Sequence, residues 1–406
     1  KRERKKMTYT SYIKRRKEEE KRKKERKKIA MAAMVGAYNP REAAEAEAAR
    51  SNGNIMKLYV KENKKPVKEC YTNINIKSIA CGGFHCMCYT QEKFIIGIGA
   101  NHKGQLGMGH FDDMPKQHTK RPQRLRHKAF KRDPPIKMVC GRETTYILTT
   151  KGKVYAMGAN KHYQLGQSHN EDICRPAVID ELAPITDIEC GDEHVLFYSS
   201  IKHLLYVCGS NSAGQLGLGT LNPYEKLSVH SYFGGQYQRK VKAMVCGSAH
   251  TIILTQNNEL YGMGRSNEGA LGPLIQIKDH DMPLVLKTAQ IHPAKMFQAY
   301  KGETIVCMAA GWNHTIMVTE NDVLASGNND HKQVNPLVKQ DSIKSFSSLS
   351  PSILPHHDHH FVDFAATADN NSCLVANQRT IYTWGENFGK SCSIDTLPKD
   401  ALVKQV

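Results

Sequence analysis

Cys246-Gly247-Ser248-Ala249-His250 is followed at once by the apolar run Thr251-Ile252-Ile253-Leu254, and Gly264 comes eighteen residues after the cysteine. This stretch recurs. Cys81-Gly82-Gly83-Phe84-His85 leads to Gly99, and Cys140-Gly141, with Thr144 in the histidine place, leads to Gly158. Cys190-Gly191-Asp192-Glu193-His194 leads to Gly209, and Ala310-Gly311-Trp312-Asn313-His314 leads to Gly327. A sixth, worn copy, Thr367-Ala368-Asp369-Asn370-Asn371, leads to Gly385. The interval from the first residue to the second glycine is 18, 18, 19, 18, 17 and 18, while successive copies begin 59, 50, 56, 64 and 57 residues apart. A fixed interval inside a variable period is the mark of a rigid unit joined by loops.

After the second glycine comes Asn-x-x-Gly-Gln-Leu-Gly or a relic of it. The copies are Asn101 to Gly107, Asn160 with Gln164-Leu165-Gly166, Asn211 to Gly217, and Asn267 with Gly269-Ala270-Leu271-Gly272. Asn329 and Asn387-Phe388-Gly389 are worn copies. Short apolar strands punctuated by glycine turns, in units of about fifty residues, predict small sheets packed face to face around a ring. Ring closure leaves few open strand edges.

The Cys-Gly-x-x-His strand, the glycine near +18 and the Asn-x-x-Gly-Gln-Leu-Gly turn resemble the regulator of chromosome condensation repeat family. The resemblance implies an all-β fold, a seven-bladed β-propeller, over roughly residues 55–406. Six repeats are recognisable. Ile55-Met56-Lys57-Leu58-Tyr59-Val60 resembles the second half of a repeat, and Val403-Lys404-Gln405-Val406 resembles the run before a repeat cysteine. The two ends are expected to share a split or incomplete seventh blade. Gly82, Gly99, Gly141, Gly158, Gly191, Gly209, Gly247, Gly264, Gly311, Gly327 and Gly385, with His85, His194, His250 and His314, are read as structural repeat residues. Spread around a ring, the histidines suit hydrogen bonding near the channel rather than one metal or catalytic centre.

Residues 1–54 differ in kind and predict a basic, helical N-terminal arm. Glu18–Arg22, Glu19–Lys23 and Glu20–Lys24 are helix-stabilising pairs, and Arg41 to Arg50 is rich in Ala and Glu after Asn39-Pro40. The net charge of +18 is concentrated: residues 1–28 hold 16 Lys/Arg against 5 Glu, and residues 116–132 hold eight cations and no acid. The remainder is nearly neutral, so two basic elements stand on a neutral body and point to an acidic partner. The partner-binding candidates are Lys116, Lys120, Arg121, Arg124, Arg126, Lys128, Lys131 and Arg132, in a loop between the first two repeats, with Lys14, Arg15, Arg16, Arg22 and Lys23 in the arm. Nucleic acid, a histone acidic face and an acidic cytoskeletal tail all fit that charge. Only Phe130 interleaves the run, which disfavours base stacking.

Several constellations are explained by simpler means. Cys86 and Cys88 beside His85 lack a second ligand pair at zinc spacing. Gly385 to Ser391 has three residues between glycines where a phosphate loop needs four, and it coincides with the repeat turn. His356-His357-Asp358-His359-His360 reads as an exposed loop. No catalytic motif or cofactor fingerprint is recognisable, no apolar run reaches the length of a membrane span, and no secretory signal opens the sequence. Twelve cysteines without an export signal read as reduced thiols. The expected function is a non-catalytic scaffold, holding protein partners in a large assembly through its basic arm and loop. A cytoplasmic setting, cytoskeletal or ciliary, or a nuclear one follows. The resemblance supplies the alternative: guanine-nucleotide exchange on a Ran-type small GTPase, with chromatin attachment. Glu143 and Asp192-Glu193 are the acids an exchange face would use, and they are scattered in sequence.

Overall fold

The computed structural model describes residues 45–47, 59–60, 68–69, 76–111, 119–233, 239–273, 289–296, 303–349, 362–368, 370–376, 380–386, 389–396 and 402–404. Within them lie six four-stranded antiparallel sheets, each strand beside the next in sequence. Blade 1 comprises Ile76–Cys81, His85–Thr90, Ile95–Gly99 and Thr119–Leu125. Blades 2 to 6 begin with Pro135–Cys140, Asp187–Cys190, Val241–Cys246, Ile305–Ala310 and Val362–Ala368. These first strands contact one another in succession, so they form the inner wall of a ring. The second strands, such as His250–Thr255, are buried along their whole length. That is why the run after each histidine is continuously apolar instead of alternating: both faces of the sheet are covered by neighbouring blades. The cores lie between blades. Met87 and Leu106 of blade 1 pack with Met138, Ile147 and Met157 of blade 2.

Strands from both ends of the chain meet beside blade 1. Glu45–Glu47 pairs antiparallel with Leu402–Lys404 and lies against the first strand of blade 1. This corrects two expectations. The C-terminal strand finds Glu45–Glu47, whereas Tyr59–Val60 pairs with Lys68–Glu69. The helix expected over Arg41 to Arg50 gives way to strand at its centre, because an available strand edge outweighs a helix preference of tenths of a kcal/mol per residue. The basic residues of the arm, Lys14, Arg15, Arg16, Arg22 and Lys23, lie outside the described residues.

Two glycine positions show why the repeat is written as it is. Gly191 supports the imidazole of His194: a Cβ there would lie 1.9 Å from His194 Cε1. Gly209 has φ of +107°, and a Cβ would lie 2.4 Å from the Glu193 carbonyl oxygen, which accepts the Ser210 N–H at 2.8 Å. The first constraint recurs at Gly82, Gly247 and Gly311, whereas blade 6 has Ala368 in that place; the second recurs at Gly99, Gly158, Gly264, Gly327 and Gly385. The third repeated device is the Asn turn. Asn211 Oδ1 accepts the Leu216 N–H at 3.0 Å while its Nδ2 donates to the Thr220 carbonyl at 3.0 Å. In blade 4 the residue in this place is Ser266, whose carbonyl accepts the Gly269 N–H, so the repeat position is one residue before the Asn267 that the sequence suggests.

Candidate partner-binding face

The segment expected as a basic loop is mostly strand. Thr119–Leu125 is the outer strand of blade 1, in register Ile95↔Leu125 and Ile96↔Arg124. A one-turn helix, Ala129–Arg132, then leads into blade 2. Its Phe130 is buried, with its ring 5.1 Å from that of Tyr155. Asp133 ties this turn to the hairpin of blade 2. Its carboxylate accepts Thr149 Oγ1 at 2.7 Å, Thr150 Oγ1 at 2.8 Å and the Lys151 N–H at 3.0 Å. Burial alone would raise the Asp133 pKa, but these hydrogen bonds and the Lys151 charge hold it below the ordinary carboxylate range. This acid is therefore ionised, buried and already engaged.

What remains outside is cationic. Arg124, Arg126, Lys128, Lys131 and Arg132 are exposed. Arg124 lies with its guanidinium 4.3 Å from the Phe94 ring centroid, which anchors it beside the blade 1 hairpin. Lys93 on that hairpin and Lys151 and Lys153 on the blade 2 hairpin are also exposed, with Glu92 as an exposed acid among them. Lys120 and Arg121 lie on the outer strand, with side chains outside the described residues, and Lys116 is outside them altogether. Antiparallel topology puts the second-to-third hairpins and the blade-to-blade links at one end of every sheet. The cations thus share one face of blades 1 and 2.

The opposite face carries the Cys-Gly-x-x-His hairpins, and three acids gather on two of them. Glu143, Asp192 and Glu193, scattered in sequence, sit on adjacent hairpins of blades 2 and 3, joined by the Arg142 N–H donating to the Asp192 carbonyl at 3.0 Å. His102 Nε2 lies 2.9 Å from Glu143 Oε1, and His162 Nδ1 lies 3.9 Å from Glu193 Oε2. On the inner wall Lys137 bridges Asp187 and Glu189 of the next blade, at 2.8 Å each. Desolvation works against the Lys137 charge, but the Glu189 and Asp187 carboxylates more than offset it and hold its pKa well above the ordinary lysine value.

The repeat histidines are joined to the blade that follows. His85 Nε2 is 2.7 Å from Thr145 Oγ1, His194 is 3.0 Å from Thr251, His250 is 3.2 Å from Thr315, and His314 is 2.9 Å from Ser372 Oγ. Each hydroxyl donates its single proton to a carbonyl in the preceding blade's turn: Gln105, Gln215, Ala270 and Gln333. The hydroxyl must therefore accept from an Nε2–H, which fixes the histidine tautomer. Burial pushes the His85 pKa down to about 3 and that of His314 to about 4, against main-chain hydrogen bonds at Thr144 and Asn371 that act the other way. Sequence reasoning overlooked the hydroxyl partners, although Thr follows the histidine position at Thr145, Thr251 and Thr315.

Models of the regulator of chromosome condensation (RCC1) repeat match residues 151–198 and 202–254, and a second model of that description matches 136–164 and 241–270. The ultraviolet-B receptor UVR8 of Arabidopsis thaliana is 30% identical over 277 residues, 66% of this chain and 56% of the receptor. The chain carries repeats of the regulator of chromosome condensation family. The secretion-regulating guanine nucleotide exchange factor of Mus musculus is 27% identical, over 77% of this chain and 67% of that protein. The X-linked retinitis pigmentosa GTPase regulator of Homo sapiens is 27% identical over 63% of this chain but only 28% of its own length. This chain thus spans about half or less of the first relatives it matches. Among solved structures, Prp20p from Saccharomyces cerevisiae superposes with a TM-score of 0.66 at 19% identity, covering 89% of this chain and 88% of that one. Human WBSCR16 gives 0.67 at 17% identity, covering 84% and 90%. At these identities the likeness concerns the fold. No helix among the described residues is long and apolar enough to cross a membrane.

Proposed function

We propose that this protein is a non-catalytic propeller scaffold that holds an acidic partner on the basic face of blades 1 and 2, in a cytoplasmic, cytoskeletal, ciliary or nuclear assembly. One observation carries the reading: the exposed cations of this sector converge on one face, while its buried acid, Asp133, is fully engaged by its own hydrogen bonds. Exposed cations gathered on one face gain from an external polyanion. The arm at residues 1–28 adds a second anchor of the same sign. Replacing Arg124, Arg126, Lys128 and Lys131 together by Gln tests this. The variant gives up the stacking of Arg124 on Phe94, a contact at an exposed side chain, and should bind an acidic polymer at least tenfold more weakly, with a visibly flatter dependence of affinity on salt. Unchanged affinity and slope would overturn the reading for this face.

A second reading draws on the opposite face. Glu143, Asp192 and Glu193 stand on adjacent hairpins, and one relative covered over 67% of its length is named as an exchange factor. Exchange on a small GTPase would use that face and needs no covalent chemistry. Release of fluorescent GDP from a Ran-type GTPase at near-stoichiometric protein distinguishes the two readings.

A further inference from the structure

The inner strands of five blades carry a β-bulge at the same place, next to the basic face. Ile76 and Ser78 pair with Thr90 and Tyr89, leaving Lys77 unpaired between them. Ile136, Lys242, Val306 and Asp363 are left out in the same way in blades 2, 4, 5 and 6. A bulge turns the extra residue away from the ladder. Among the described residues, Ile136 is accordingly 46% exposed and Val306 52%, and Ile201 on the neighbouring hairpin of blade 3 is 65% exposed. Ile136 and Val306 thus stand in water at the inner edge of this face, Ile201 stands on a blade 3 hairpin of the same face, and Ile136 is reached directly from Arg132 through Asp133, Pro134 and Pro135.

We infer that the acidic partner of this face is a peptide segment that interleaves carboxylates with bulky aliphatic side chains, running across this face from the cations of blades 1 and 2 over the exposed Ile136 towards Ile201 of blade 3. The inference rests on the preceding proposal and adds the chemistry of the partner. A phosphate backbone would satisfy the cations but would leave both isoleucines without an apolar partner. An extended peptide alternates its side chains and can meet both kinds of surface at once. Lys77 and Ile136 occupy the same bulge position on neighbouring inner strands, so one cation and one aliphatic group stand side by side.

Fluorescence anisotropy of the full chain with three labelled probes tests this: a twelve-residue peptide alternating Glu with Leu, one alternating Glu with Ser, and a twelve-base-pair duplex DNA. The Glu/Leu peptide should bind roughly tenfold more tightly than the Glu/Ser peptide, the gain expected from covering two half-exposed aliphatic side chains. The Ile136→Ser, Ile201→Ser double variant, altered only at exposed positions, should erase that margin and leave Glu/Ser binding unchanged. Equal affinity for the two peptides, or tighter binding of the duplex than of either, would overturn the inference while leaving an acidic partner in place. Failure of all three probes to bind would remove the preceding proposal with it.

Discussion

Four blade junctions are latched by an imidazole and a hydroxyl; the junction between blades 2 and 3 is not. There Thr144 replaces the histidine and Val195 replaces the threonine. The two halves of the latch, fifty-one positions apart, are lost together. The carbonyl that the missing hydroxyl would have served is still served: Tyr146 Oη donates to the Gln164 carbonyl at 2.7 Å. The comparison shows what the interior demands. A particular pair is dispensable, but a buried carbonyl without a donor and an imidazole without an acceptor are not. Blade 5 shows that one carbonyl tolerates both solutions, since Gln333 O accepts Ser372 Oγ at 2.6 Å and Trp384 Nε1 at 2.8 Å.

The comparison breaks most visibly at the glycine beneath a latch. Gly191→Ala drives a methyl into the His194 ring and should cost about 3 kcal/mol, at the upper end for overpacking. The measurement is urea unfolding, and a loss below about 1 kcal/mol would mean that the ring moves freely. A smaller effect tests whether the latch can be installed. Thr144→His alone strands a buried N–H against Val195 and should cost about 1–3 kcal/mol. Adding Val195→Thr should recover at least 1 kcal/mol of that, as a favourable coupling in a double-mutant cycle. Simple additivity would show that latch geometry is absent at this junction. The smallest effect is in pH. With folded values of about 3 for His85 and about 4 for His314 against an unfolded value near 6.5, the unfolded chain takes up protons first. Their contribution to stability is therefore complete above pH 6.5 and declines as pH falls toward 4 and 3. Between pH 7 and pH 6 each should account for about 0.7 kcal/mol of that loss. His314→Gln should flatten the pH dependence of unfolding by that amount, whereas Thr144→Ser, at the junction without a histidine, should leave it unaltered.

Much of this was legible beforehand because the repeat is rigid. The spacing of Cys246, His250 and Gly264 reflects a hairpin held by its second glycine, and that spacing survives in blade 6, where Thr367, Ala368 and Asn371 have replaced the cysteine, the first glycine and the histidine. Three features were not legible. Thr119–Leu125 reads as a charged loop because an outer strand facing water carries no apolar alternation, and Lys and Arg have no preference for strand. Glu45–Glu47 reads as helix because local preference is silent about a strand arriving from residue 402. The acidic group of Glu143, Asp192 and Glu193 is assembled only by packing blade 2 against blade 3, which sets residues fifty apart on neighbouring hairpins.

The latches also make the ring an ordered object. Each blade presents an imidazole or its replacement at one flank and a hydroxyl or its replacement at the other, so neighbours are matched like keyed connectors. Blade 3 receives with Val195 and gives with His194; placed after blade 4 it would set His250 against a methyl group. By this rule blade 4 or blade 5 could be duplicated, deleted or exchanged with every latch kept, whereas duplicating blade 3 would set His194 against Val195. The order of the blades is thus part of the information the chain carries, beyond the content of any one of them.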